Sequence, residues 1–277
     1  MPVHDDLGIR MKTYYEQIPK TKLMRRCPVA IRIDGKAFHT FTKGFQKPFD
    51  EILIKSMQKT MKYLCKNIQG CVLGYTQSDE ITLILVDYKN LNSDAWFDYE
   101  VQKMCSIVAS MATMAFNKFF SEMVNAWTDD FWESWNHNEK EVKYSQALMN
   151  AVNKGAMFDA RVFNIPKEEV TNLIYWRQLD AIRNSIQMVG QANFSHKELH
   201  GKSCNTIKDM LMKEKDIDWD NLPSHQKHGS CCIKHYHEDT TDEGEYIKRT
   251  HWYIDKNIPV FRGEDRNYID KLIFVSE

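Results

Sequence analysis

An alternation between two hydrophobic periods predicts an α+β fold of ferredoxin-like, βαββαβ type for the first half of this chain. Three observations carry it. Short apolar runs with strand character stand at 28–33, 71–75, 81–86 and 158–162. Two long stripes with three- and four-residue steps separate the first run from the second and the third from the fourth. The second and third runs are joined by the short Gln77-Ser-Asp-Glu80 segment, a length that suits a hairpin.

Taken in order, Pro28-Val-Ala-Ile-Arg-Ile33 reads as a strand ending at Asp34-Gly35. Phe49, Ile52, Leu53, Met57, Met61, Leu64 and Ile68 then mark one face of a helix, with Pro48 and Asp50 suited to its first turn. Cys71-Val-Leu-Gly-Tyr75 and Ile81-Thr-Leu-Ile-Leu-Val86 form the hairpin strands. A second helix is expected over roughly 97–124, where Met104, Val108, Ala112, Phe116 and Met123 share a wide stripe. Residues 125–156, with Trp127, Trp132 and Trp135 among polar neighbours, read as a loop-rich insertion. Phe158, Ala160 and Val162 alternate with Asp159 and Arg161, as in a half-buried strand.

After Pro166 the pattern becomes helical. A helix is expected from Lys167 to about Met188, a capping box at Ser195-His-Lys-Glu198, and a further helix capped by Ser203. Segments 229–237 and 245–254 suit a hairpin turning at 238–244. The expected organisation is a core over 1–165 and a mostly helical appendage with a small sheet over 166–277, used for RNA binding or oligomerisation.

Composition narrows the function. The chain has 277 residues, 43% apolar and 27% charged, which is an ordinary globular balance. No apolar run is long enough to span a bilayer, and the first residues lack a signal-peptide core, so a cytoplasmic protein is expected without membrane association. Seven irregularly spaced cysteines do not suggest a disulfide framework. A net charge of -1 excludes a broadly basic nucleic-acid binder, so any RNA surface must be local. Lys20-Thr-Lys-Leu-Met-Arg-Arg26 and the neighbourhood of Lys248 and Arg249 are candidates, against the plainer reading of solvated faces.

The chemistry rests on Asp34 and Asp79. One ends the first strand and the other sits in the hairpin between the second and third. In a ferredoxin-like sheet the first and third strands are neighbours, so the two carboxylates can meet at one edge. They repel there unless cations lie between them. Magnesium favours one or two carboxylates together with phosphate oxygens and water. Gly35 lets the backbone come close to a ligand, and Gly35-Lys-Ala-Phe-His39 would set successive N–H groups beside a triphosphate. Asp-Gly alone is also a common turn dipeptide.

Arg32-Ile-Asp-Gly-Lys-Ala-Phe-His-Thr-Phe41, Lys47-Pro-Phe-Asp50, Tyr75-Thr-Gln-Ser-Asp-Glu80, Phe158-Asp-Ala-Arg-Val162 and Trp176-Arg-Gln-Leu-Asp180 together resemble the tRNA(His) guanylyltransferase family. The resemblance runs from about residue 25 to the C-terminus. It implies a polymerase-palm fold and a 3′–5′ direction of nucleotide addition at a tRNA 5′ end, with ATP and GTP as substrates. It also implies two Mg2+ ions held by Asp34, Asp79 and the Gly35 carbonyl, a triphosphate loop at Lys36, Ala37, Phe38 and His39, phosphate contacts from Lys47 and Ser78, and a homotetramer. Glu80 completes its motif and is open to a structural role.

One segment departs. Eukaryotic members of that family carry His-Ile-Asn-Asn, linked to selecting tRNA(His), where this chain reads Ile182-Arg-Asn-Ser185. The chain is closer here to bacterial and archaeal relatives that repair truncated tRNA 5′ ends. Arg177, Arg183, Asn184, Lys202 and Lys208 are candidate tRNA contacts, with helical salt bridges the alternative for the charged ones. His225, His228, Cys231, Cys232, His235 and His237 offer zinc-ligand types, but their spacing matches no standard finger. A palm-type nucleotide cyclase and a non-catalytic tRNA-binding protein are the competing functions.

Overall fold

The computed structural model describes residues 5–133, 138–240 and 246–275. Its elements run α1 (Asp6–Met11), β1 (Val29–Gly35), α2 (Phe38–Phe41), α3 (Glu51–Asn67), β2 (Cys71–Gln77), β3 (Glu80–Leu85), α4 (Val101–Glu133), α5 (Glu139–Lys154) and β4 (Phe158–Asn164). Then follow α6 (Lys167–Asn193), α7 (His196–Leu199), α8 (Cys204–Lys215), α9 (Ser224–His228), β5 (Ser230–Thr240), β6 (Tyr246–Asp255) and α10 (Asn267–Ile273). The strand order is β4-β1-β3-β2-β5-β6 and the pairings are antiparallel. The first four of these strands have the expected ferredoxin-like order, with β3 beside β1.

The period-2 alternation of β1 sends its residues to two different cores. Val29, Ile31 and Ile33 join Leu83, Met61 and Phe116 under α3 and α4. Ala30 joins Ile84, Tyr75, Val170 and Ile174 under α6 and α10. A third cluster holds the far half of α6 against α8 through Ile186, Val189, Leu211 and Trp219. The adjacent cysteines of β5 split the same way, Cys232 to the first core and Cys231 to the second.

Three expectations change. The helix placed at 97–124 begins at Val101, because Phe97 and Asp98 adopt positive φ in a short turn before it. It also runs on to Glu133, so residues 125–156 form mainly helix rather than a loop-rich insertion. Val124, Trp127 and Phe131 continue the three- and four-residue spacing. Trp127 stacks on Phe131 at 5.1 Å and meets Tyr144 of α5 edge-on at 5.0 Å. Trp132 is exposed, and Trp135 lies outside the described residues.

The C-terminal hairpin is the third change. It does not make a small separate sheet: β5 pairs with β2 from Leu73↔Ile233 to Thr76↔Ser230 and so widens the main sheet. Its turn at 241–245 and the side chains of Lys248 and Arg249 lie outside the described residues. Both expected helix caps are present: Ser195 and Glu198 form a capping box, and Ser203 caps α8.

Candidate active site

β1 and β3 bring the two acids together. Asp34 pairs in register with Glu80, and the Gly35 amide donates to the Asp79 carbonyl at 3.2 Å. Asp34 and Asp79 are each half-buried. Neither has a basic partner among the described residues, and the Asp79 carboxylate accepts a 3.0 Å bond from the Ser78 hydroxyl. Burial raises the Asp79 pKa above the ordinary carboxylate range, and the neighbouring charges of Asp34 and Glu80 raise it further; the Ser78 hydroxyl and a backbone amide work against this.

The loop after β1 is shaped by sterics. Gly35 does not need a positive φ. A Cβ built on it would lie 2.3 Å from Cδ2 of Phe38, so the ring occupies the space a side chain would take. That ring cannot retreat: it packs against Phe41, Phe158 and Phe116 at centroid distances of 5.0, 5.3 and 5.6 Å. Ala37 (φ 55, ψ 40) and Ser78 (φ 50) adopt left-handed conformations without being glycine, one in each loop of the site. Residues in sparsely populated backbone regions cluster at functional sites.

A cleft of about 500 Å³ opens beside the acids. Gly35, Ala37, Phe38, His39, Lys47, Ser78 and Asp79 line it, so most of the expected nucleotide-binding set falls on one surface. Asp34 and Lys36 stand next to it without lining it. His39 is exposed, not packed at a strand end, while Phe38 is a core residue whose ring is 5% exposed. Lys36 and Lys47 are exposed ammonium groups with no acidic partner among the described residues.

Sequence reading missed part of this wall. Thr42, Gln46 and Met188 also line the cleft, as does Asp50. The Asp50 carboxylate caps α3 by accepting from Leu53 N at 2.9 Å, and it accepts from Gln46 N at 3.1 Å and the Tyr144 hydroxyl at 2.8 Å. The motif Lys47-Pro-Phe-Asp50 pointed at this position, but only its capping role was legible. Met188 comes from α6, and nothing local in its sequence announces the approach.

Several candidate RNA contacts take structural roles instead. Arg177 is buried, with its guanidinium 3.0 Å from Glu80 and 2.8 Å from Asp180, so it braces α6 against β3 and is not available to a phosphate backbone. Glu80, which also pairs with Arg32 at 3.5 Å, is structural. Arg183 is exposed but paired with Asp180 at 2.7 Å, and Lys208 binds Asp220 at 2.7 Å and lies over Trp219. In the segment from Lys20 to Arg26, Lys22 pairs with Asp98 and Arg25 with buried Asp87, which fixes the approach to β1. Lys202 is exposed and lines a second cleft with His196 and His200. Asn184 faces a small cavity of about 80 Å³ that shares Asp50, Leu53, Ser78 and Met188 with the main cleft. Among the described residues no group of three histidine, cysteine or acidic side chains is placed to hold a metal, and the side chain of His237 lies outside them.

A ferredoxin-like sheet that brings two acids, without basic partners among the described residues, to its strand ends, beside a cleft lined by Lys47 and the loop after β1, has the arrangement expected of a palm-type nucleotidyltransferase. The chain belongs to the tRNA(His) guanylyltransferase family, whose profile, described as tRNAHis guanylyltransferase, matches residues 9–166. A bacterial tRNA(His) guanylyltransferase-like protein solved in complex with ATP is 38% identical, with a TM-score of 0.79 over 98% of this chain and 100% of its own. A structure of a bacterial protein of the same description in complex with GTP is 36% identical, with a TM-score of 0.74 and the same coverage. The probable tRNA(His) guanylyltransferase of Dictyostelium discoideum is 26% identical over 234 residues, which is 80% of each chain. No helix among the described residues is long and apolar enough to cross a membrane.

Proposed function

We propose that this enzyme adds nucleotides in the 3′–5′ direction to the 5′ end of tRNA, using ATP and GTP. The observation that carries the reading is the pair Asp34 and Asp79, free of basic partners among the described residues, at the edge of a cleft whose walls include Gly35, Ala37, Phe38, His39, Lys47 and Ser78. The ATP and GTP complexes of the two bacterial relatives support it.

The chemistry divides into two displacements. The 5′-monophosphate of the RNA first attacks the α-phosphate of ATP, forming a 5′–5′ linkage to AMP and releasing diphosphate. The 3′-hydroxyl of the incoming nucleotide then attacks the activated 5′ phosphorus, and AMP leaves. Asp34, Asp79 and the Gly35 carbonyl form an all-oxygen donor set that suits two Mg2+ ions. When bound, these supply charge neutralisation at phosphate and a lowered pKa at the attacking hydroxyl. Lys47, Lys36 and the amides of the Ala37 turn hold the triphosphate, and Ser78 keeps Asp79 oriented at 3.0 Å. No side-chain nucleophile is needed, because positioning and charge stabilisation do the catalysis.

Ser185 of the departing segment is buried and accepts the Trp219 indole N–H at 3.2 Å, so Ile182-Arg-Asn-Ser185 partly serves packing. We therefore read the substrate as tRNA 5′ ends generally, with repair of truncated ends favoured over addition restricted to tRNA(His). The same reading carries a homotetramer, for which exposed Ile107 and Met114 on α4 supply apolar surface.

The test is incorporation of labelled nucleotide, with magnesium, into full-length and 5′-truncated tRNAs bearing several anticodons. Extension of the truncated RNAs, lost in Asp79→Ala, is expected. A wild-type enzyme that extends none of them, or an Asp79→Ala variant with equal activity, removes the proposal.

A further inference from the structure

A second polar cleft, of about 520 Å³, lies at the end of the sheet opposite the acids. It forms where α3 ends, β2 begins and β3 gives way to the following loop, with Lys234 of β5 and Trp252 of β6 completing it. β2 spans seven residues between the two ends, about 20 Å at the rise of an extended strand.

Lys66, Lys89 and Lys234 line this cleft, and all three are exposed. None has an acidic partner among the described residues. Lys66 has an ordinary reason to be there, since it complements the dipole at the last turn of α3. Lys89 has no such reason. Although Lys89 is exposed as a whole residue, its ammonium sits where partial burial first, and the charge of Lys234 second, push it below its usual range. Two cations held this way leave an unbalanced positive site. Lys234 sits 5.2 Å over the Trp252 ring, which offers a flat face but no counter-charge. Asp94 is the acidic residue of the lining.

We propose that this cleft is a phosphate site that grips the ribose-phosphate backbone of the RNA substrate, away from its reacting end. The inference rests on the tRNA-directed function proposed above. An RNA stem held only at its 5′ end is free to swing about that point. A second hold roughly 20 Å along the same sheet fixes its direction. Lysines at a concave surface suit such contacts, because they meet phosphates as mobile point charges without reading base identity. The same cleft chemistry would accept the phosphates of a free nucleotide, so the experiment must separate the two sources.

The experiment measures tRNA binding by full-length enzyme over a range of salt, comparing wild type with Lys66→Gln/Lys89→Gln/Lys234→Gln and with the corresponding triple arginine variant. The glutamine variant is expected to bind at least about tenfold more weakly at moderate salt and to lose about 2–3 from the slope of log K against log salt. Its KM for tRNA should rise while kcat at saturating tRNA stays unchanged, and the arginine variant should keep the wild-type slope. An unchanged slope and affinity in the glutamine variant, with wild type still binding and extending tRNA, overturns this proposal alone. Loss of ATP binding in that variant without a change in slope also overturns it, by assigning the cleft to free nucleotide. A wild type that neither binds nor extends tRNA overturns the functional reading and this site with it.

Discussion

Replacing Gly35 by alanine tests how the loop that carries the proposed metal-binding carbonyl is held. The new Cβ would lie 2.3, 2.5 and 2.9 Å from Cδ2, Cε2 and Cγ of Phe38, so one of the two must move. Phe38 is 5% exposed and hemmed in by Phe41, Phe116 and Phe158, so the loop backbone takes the displacement. Overpacking of this kind costs about 1–3 kcal/mol. In a chain of this size each kcal/mol lowers the melting temperature by about 2–4 °C. Moving the Gly35 carbonyl, which neighbours Asp34, should also reduce turnover by about a hundredfold. The assay is a thermal melt beside single-turnover nucleotide incorporation, run on Gly35→Ala, Phe38→Leu and the double variant. Shrinking the ring relieves the clash, so the double variant should be more stable than the sum of the two single losses, with a coupling of about 0.5–3 kcal/mol. An unchanged melting temperature and turnover in Gly35→Ala, or strict additivity in the cycle, would refute the reasoning.

Three more outcomes follow from the charges. Asp79 has a native pKa above its unfolded value, so its ionisation costs stability at pH values above the raised native value. That cost disappears as the pH falls below the unfolded value of about 4. Without divalent ions Asp79→Asn should therefore melt higher than wild type at pH 7, with the gap closing toward pH 4. Added Mg2+ should raise the melting temperature of wild type and not of the variant, and equal shifts in both would count against a metal at this carboxylate. Arg177→Ala leaves Glu80 and Asp180 without their buried partner and should cost about 3–5 kcal/mol in urea unfolding, whereas a loss below about 1 kcal/mol would show that the pair is not the brace described here.

The sheet was legible because its period-2 runs are short and bounded, and because Gln77-Ser-Asp-Glu80 leaves no other connection. That order alone brought Asp34 and Asp79 to one edge. Residues 125–156 were misread because tryptophans in a polar setting look like surface loop until Tyr144 packs against Trp127. The pairing of β5 with β2 was hidden for a different reason: a strand's sequence records its two faces but not its neighbour. The charged candidates on α6 and α8 divided on burial. Arg177 and Arg183 share one composition and one helix, and only packing shows that the first is enclosed. Lys66, Lys89 and Lys234 could not have been grouped beforehand, since they come from three distant parts of the chain.

The join between β2 and β5 has a bearing on how the protein is made. The pairing Thr76↔Ser230 spans more than half the chain. A nascent polypeptide therefore carries both acids soon after its start, yet the flank of β2 opposite β3 stays open until β5 emerges. That open flank is a row of unpaired amides and carbonyls, able to capture another extended segment. The last fifty or so residues thus protect the centre that the first eighty encode, and a chain that stops near 225 would keep its acids while exposing an adhesive edge.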